Sequence, residues 1–238
     1  MILSFKDFMA ESMVPGVSPG TANEQHILGF LRGLLAPSTP VTLRFVSPDK
    51  TKVLEDIIGV SDVSMLTGDN KKADFILIDS RGNEYPISLK NDKAGNWASA
   101  DGILGKKARQ VIDELVAQKK VKLSLDKITG NYSVSPSFAK KLTPTEASAV
   151  MFGSDILPKG FVICRTFTDE DFVMGKNDVT INCSSIITSV ADVKETMYEP
   201  YLFVRSATTR NSLALGYKGL RVLAVYKLRT TVSSCLVV

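Results

Sequence analysis

Residues 74–90, DFILIDSRGNEYPISLK, constrain the fold more than any other stretch of the chain. Two short apolar runs flank SRGN, a cluster of turn residues, and this is the signature of a β-hairpin. In the return strand Glu84, Pro86, Ser88 and Lys90 share one face, and Tyr85, Ile87 and Leu89 share the other. The second set is apolar and is expected in the core. Lys90 then stands on the polar face at the end of the strand. A three-residue loop, RGN, would set Asp74 directly across from Lys90, with Cβ atoms about 4.5–5.5 Å apart. Asp79 would face Tyr85, roughly 16 Å further along the strand at 3.3 Å per residue. An even loop would separate Asp74 and Lys90 onto opposite faces, and a different register would make Asp79 the functional acid.

The flanking sequence supplies helices. Thr21 and Glu24 form a TxxE capping box, followed at helical spacing by Ile27, Leu28, Phe30, Leu31, Leu34 and Leu35; Pro37 and Pro40 end the run. VTLRFV at 41–46 alternates as a strand, and 53–66 has the look of a short helix and loop. NDKAGNWAS at 91–99 is expected as a loop. A second helix is expected from about 101 to 120, with Lys119 and Lys120 suited to its C-terminal end. VKLSLDKITGNYSVS suggests another hairpin turning at Gly130-Asn131. Thr143 and Glu146 make a further capping box, opening a helix to about Phe152. From 160 onward FVICRTF, DVTINCSSIIT, PYLFVRS and RVLAVYKL are strand-like. The expected fold is mixed α+β in one domain over 1–238, with a core at about 21–120 and a β-rich C-terminal part at about 121–238.

Composition excludes several classes. Hydrophobic residues make up 44% and charged residues 23%, which rules out a collagenous chain, a disordered tail and an all-charged linker. No apolar run reaches the length of a membrane span, and the opening MILSFKDFMAES lacks a secretory apolar stretch, so an intracellular protein is expected. The single histidine, His26, excludes mechanisms that need two imidazoles. Cys164, Cys183 and Cys235 form no CxxC pair and are expected as buried free thiols. The chain carries no Walker loop, GxGxxG or GxSxG. Net charge is +4, but residues 200–238 hold six cations and no acid, which leaves the first 199 residues at −2. Such a tail suits an anionic partner.

An acid on one strand and a lysine on its hairpin partner is an arrangement suited to phosphodiester cleavage. That reaction needs a divalent metal held by oxygen ligands, an activated water and a charge to offset the phosphorane-like transition state. Asp74 is the candidate metal ligand and Lys90 the group that serves the water. The Leu89 carbonyl can supply a further ligand. This order of elements, with Asp74 and ISLK at 87–90, resembles the PD-(D/E)xK nuclease superfamily over about residues 21–120. Ser88 departs from that pattern by standing where the family has an acid, and it resembles the SLK variant of some type II restriction endonucleases. The resemblance implies a restriction-endonuclease-like core of a mixed sheet flanked by helices. It also implies a Mg²⁺-dependent deoxyribonuclease, with Mn²⁺ able to substitute, acting on double-stranded DNA as a homodimer. Glu24, on the first helix, is the carboxylate that would replace the missing acid. Lys93, Asn96 and Trp97, in the segment after the site, and Arg205, Arg210, Lys218 and Arg221 in the basic tail, are the candidate nucleic-acid contacts. SFKDFMAES is similar to the start of many tailed-phage proteins, which would place a phage-encoded nuclease in the host cytoplasm. The rival expectations are a non-catalytic nucleic-acid-binding or virion structural protein that keeps the nuclease-like fold, and an assembly protein whose terminus, Cys235 to Val238, is a docking strand.

Overall fold

The computed structural model describes residues 19–36, 39–63, 72–91, 96–99, 101–192, 200–207, 215–225 and 235–238. In chain order its elements are α1 (Pro19–Leu35), β1 (Val41–Val46), β2 (Thr51–Asp62), β3 (Phe75–Asp79), β4 (Glu84–Lys90) and β5 (Asn96–Ser99), then α2 (Asp101–Ala117), β6 (Lys122–Leu125), β7 (Tyr132–Ser135) and β8 (Phe138–Lys141). There follow α3 (Pro144–Phe152), β9 (Phe161–Cys164), β10 (Phe172–Met174), β11 (Asp178–Asn182), β12 (Ser185–Ile187), β13 (Tyr201–Ser206), β14 (Leu220–Val225) and β15 (Leu236–Val237). The chain is mixed α+β, and its C-terminal half is rich in strands. Among the described residues, no helix is long and apolar enough to cross a membrane.

The chain forms two compact units, each made of two segments. The first is Met1–Lys93 with Ser154–Thr188, and the second is Ala94–Gly153 with Ser189–Val238. Helix α2, expected in the core of residues 21–120, belongs to the second unit.

The first unit is built on an eight-stranded sheet in the order β10-β11-β1-β2-β3-β4-β9-β12. β1 runs parallel to β11 and β4 parallel to β9; the other neighbours are antiparallel. Helix α1 lies against this sheet. Its stripe of Ile27, Leu28, Leu31 and Leu35 is buried with Leu43, Phe45, Phe75, Leu77, Ile87 and Leu89. Each such side chain contributes about 1.5–3 kcal/mol by leaving water. The helix starts at Pro19, so Thr21 lies inside it and is not the N-cap that its TxxE spacing suggests.

Residues 51–62 are a strand, which corrects the short helix expected to open the stretch 53–66, of which 64–66 lie outside the described residues. Leu43 pairs with Leu54 while Val41 pairs with Ile57, so β2 has one more residue than β1 over this interval. Asp56, at φ 55°, sits in this bulge. The extra residue puts Leu54 and Ile57, three apart, both in the core. That spacing imitates a helix, and pairing with β1 and β3 on either side overrides it.

The second unit has a five-stranded sheet, β15-β8-β13-β14-β5, and a two-stranded ribbon of β6 and β7. Helix α2 buries Leu104, Ala108, Val111, Ile112 and Leu115 and contacts β14. It ends at Ala117, short of Lys119 and Lys120. Helix α3 has the full capping box: the Thr143 hydroxyl accepts from the Glu146 amide, and the Glu146 carboxylate accepts from the Thr143 amide. Residues 96–99, expected as loop, form β5 because β14 offers them an open edge. The terminus pairs within the chain: Leu236 and Val237 of β15 run parallel to Phe138 and Ala139 of β8. Cys164 and Cys183 are buried free thiols, and Cys235 is half-buried.

Candidate active site on the β3–β4 hairpin

The hairpin forms where expected, but its register is displaced by two residues. Phe75 pairs with Ile87 and Ile78 with Glu84, which puts Asp74 across from Ser88 and not Lys90. A shift of two keeps every side chain on its face. Asp74, Ser88 and Lys90 therefore still share one face, with Lys90 diagonal to Asp74. The cause lies at the turn. Asp79 is 1% exposed and accepts from the amides of Arg81 (2.9 Å) and Asn83 (2.8 Å), the Asn83 side chain (2.8 Å) and the Tyr85 hydroxyl (3.2 Å). These bonds pull residues 80–82 into the loop and make Asp79 the keystone of the turn, with no part in the site.

Asp74 is held from several sides. Its amide donates to the Ile87 carbonyl (2.8 Å). Its Oδ2 accepts from the Ser88 hydroxyl (3.0 Å) and the Leu89 amide (2.5 Å), and lies 3.6 Å from Lys90 Nζ. Lys90 Nζ also donates to the Leu89 carbonyl (3.0 Å). Its own carbonyl accepts from the Arg165 amide (2.9 Å), which fixes the end of β4 against the chain after β9. Ser88 is 0% exposed. It is a donor that orients Asp74; an acid in its place would set two carboxylates against each other.

Glu24 joins this cluster electrostatically. Burial, then the charge of Asp74, push its carboxyl above the ordinary value; Lys90 opposes them and Asp62 adds to them. Among the described residues, the Glu24 side chain makes no hydrogen bond or ion pair. Two further residues belong to the cluster and were missed in the sequence. Lys72 is half-buried, and burial followed by the charge of Lys90 lowers its ammonium pKa, with Asp155 and Asp74 opposing. Its amide and that of Ala73 bind the Asp155 carboxylate. The only sequence signal was its alternation with Asp74. Asn23, 5% exposed, donates to Asn91 Oδ1 (2.8 Å) and the Arg165 carbonyl (2.7 Å), and accepts from the Phe167 amide (2.8 Å). It pins the start of α1, and with it Glu24, to the ends of β4 and β9. Its signal was a polar residue one turn before Ile27 in an apolar stripe.

The Asp74 carboxylate and the Leu89 carbonyl converge on one cation, the Lys90 ammonium. These are hard oxygen donors, and with Glu24 they have the chemistry of a magnesium site, which takes one or two carboxylates and keeps several waters. Among the described residues, no group of three or more His, Cys, Asp or Glu side chains is placed to hold a metal ion. The fit therefore rests on two carboxylates and a carbonyl.

The candidate nucleic-acid contacts fall in the second unit or outside the described residues. Lys93 and Arg210 lie outside them. Asn96 and Trp97 are in β5, with side chains outside the description. Arg205 and Arg221 are directly paired across β13 and β14, and Lys218 is exposed. No protein-family model, curated protein or solved structure matches the chain.

Proposed function

We propose that the chain is a metal-dependent endonuclease that hydrolyses phosphodiester bonds in double-stranded DNA. The observation that carries this reading is the convergence of the Asp74 carboxylate and Leu89 carbonyl on Lys90, with the Glu24 carboxyl in the same field. Asp74, the Leu89 carbonyl and Glu24 would hold Mg²⁺ or Mn²⁺, which supplies Lewis acidity and an ionised water at neutral pH. Ser88 and the Leu89 amide orient Asp74. Lys90 would offset the charge that develops on the phosphate or serve the attacking water, and Lys72 would add a second ammonium. A restriction-type role in a host cytoplasm, as a homodimer, is the subclass the SLK resemblance favours.

The test is cleavage of supercoiled plasmid and phage DNA with Mg²⁺ or Mn²⁺. Asp74→Asn and Lys90→Ala should each lower the rate by about 10²-fold or more. Cutting that persists in both variants sinks the assignment. A second reading, a non-catalytic nucleic-acid-binding or virion structural protein, is favoured by one observation: Lys90 already engages both oxygen donors that a metal would need. DNA binding without cutting, and no heat of Mg²⁺ binding in calorimetry, would select it.

A further inference from the structure

The ribbon of β6 and β7 is built unlike the β3–β4 hairpin. Among its strand residues only Val134 is fully buried. Lys122 pairs with Ser135 and Ser124 with Ser133, so one face carries a lysine and three serines. At the tip, Ile128 is 96% exposed and Leu125 is 49% exposed. A single exposed apolar side chain is ordinary on a protein surface. Here the backbone around it is fixed. Asp126 Oδ1 accepts from the amides of Ile128 (2.8 Å) and Thr129 (3.4 Å), and its Oδ2 accepts from the Thr129 hydroxyl (2.9 Å). The Gly130 amide donates to the Asp126 carbonyl (2.8 Å), and Lys218 Nζ donates to the Thr129 carbonyl (2.8 Å). The turn thus holds Ile128 out in water with little freedom to fold back. Around it the charge is one-sided. Residues 119–135 contain Lys119, Lys120, Lys122 and Lys127 against Asp126 alone, and all four lysines, with Lys218, are exposed.

We infer that this ribbon is a DNA-reading finger that enters the major groove of a duplex, with Lys122, Lys127 and the serine face toward phosphates and Ile128 toward base edges. A two-stranded ribbon fits that groove, lysine and serine are phosphate donors, and an aliphatic tip can touch the thymine methyl. The charge complementarity argues for a polyanion, and the pinned apolar tip argues for one with readable edges. The inference stands apart from the catalytic reading, because binding is measured without metal.

The full chain is titrated against a fluorescent duplex of about two helical turns in EDTA, so that failure of the nuclease assay leaves the result intact. Lys122→Gln with Lys127→Gln should lower the slope of log affinity against log salt by about two. Replacing thymine by uracil in the duplex should weaken the wild type by about fourfold per contacted methyl. Ile128→Ser, at a side chain almost wholly in water, should fold normally, keep the wild-type salt slope and lose the response to uracil. Wild-type binding by the lysine variant overturns the inference, as does an equal uracil response in Ile128→Ser. So does binding to phosphatidylserine vesicles that falls in the same variants while duplex binding does not, since the ribbon would then serve a membrane surface.

Discussion

The β3–β4 hairpin of the first unit and the β6–β7 ribbon of the second are closed by the same local chemistry. Each turn begins with an aspartate whose carboxylate gathers the amides that follow, and each ends on a glycine at positive φ, 79° at Gly82 and 67° at Gly130. What differs is the surroundings. β3 and β4 lie inside an eight-stranded sheet, and Asp79 is buried beneath Tyr85 and Asn83. β6 and β7 form a sheet of their own, with β7 packed against β13 and β14, and Asp126 faces water. The same turn is therefore a fixed part of a core in one unit and a presenting device in the other. Turn chemistry sets the shape of a hairpin, while the partners on its flanks decide what the shape is for.

The largest test of this contrast is loss of each aspartate. Asp79→Ala takes a buried acceptor from four part-buried hydrogen bonds and leaves a gap beneath Tyr85 and Asn83, whereas the donors around Asp126 stand at an exposed turn and can turn to water. Thermal melts should show the deepest fall for Asp79→Ala and a much smaller one for Asp126→Ala; equal falls would break the comparison. The pH dependence follows the same logic. The Asn83 side-chain donor, helped by the Asn83 and Arg81 amides and the Tyr85 hydroxyl, holds the Asp79 carboxyl below its ordinary value against the opposing effect of burial. A carboxyl depressed in the folded state stabilises the fold above its unfolded value, about pH 3.9, and loses that contribution as pH falls through the lower folded value. The wild type should therefore lose stability below about pH 4 with a steeper slope than Asp79→Ala, in which the depressed carboxyls of Asp126, Glu146 and Asp171 remain.

The next effect in size is at Asn23, which ties α1 to the strand ends that carry the site. Asn23→Ala leaves the Phe167 amide and Arg165 carbonyl without their partner and should cost about 1–3 kcal/mol in urea unfolding. Because Asn23 also sets where Glu24 stands, the carboxyl titration of Glu24 in ¹³C spectra should move toward the ordinary glutamate value. A stability loss with no change at Glu24 would show that the clamp holds the helix but does not position the carboxylate.

Both hairpins were legible because their signals are local: alternation, turn residues and face parity lie within a dozen or so residues. The capping box at Thr143 and Glu146 was legible for the same reason. The parity that put Asp74, Ser88 and Lys90 on one face survived a register error of two, since only an odd slip reverses the faces. The direct partner was misread because the hydrogen bonds of Asp79, made partly by side chains, set the loop. β2 was misread because a bulge at Asp56 gives a strand the spacing of a helix. β5 is a strand only because β14, more than a hundred residues later, pairs with it. Lys72 and Asn23 carry no motif at all, and they entered the site through contacts made in three dimensions. The two-unit arrangement was hidden for a similar reason, since each unit draws on two separated segments of chain.

The smallest effect is the sharpest check on the comparison, because it concerns the feature the hairpins share. An added Cβ at Gly82 meets no atom within 4 Å, and at Gly130 the nearest is Lys218 Nζ at 4.0 Å. Alanine is thus not crowded at either turn, and the whole cost is the left-handed backbone, about 1 kcal/mol at each position. Gly82→Ala and Gly130→Ala should shift the urea midpoint by the same small amount, although one turn is anchored in a sheet and the other stands in water. A markedly larger shift at Gly82 would mean that the buried Asp79 network amplifies strain that the exposed turn relaxes, and the two turns would then differ in their chemistry as well as in their surroundings.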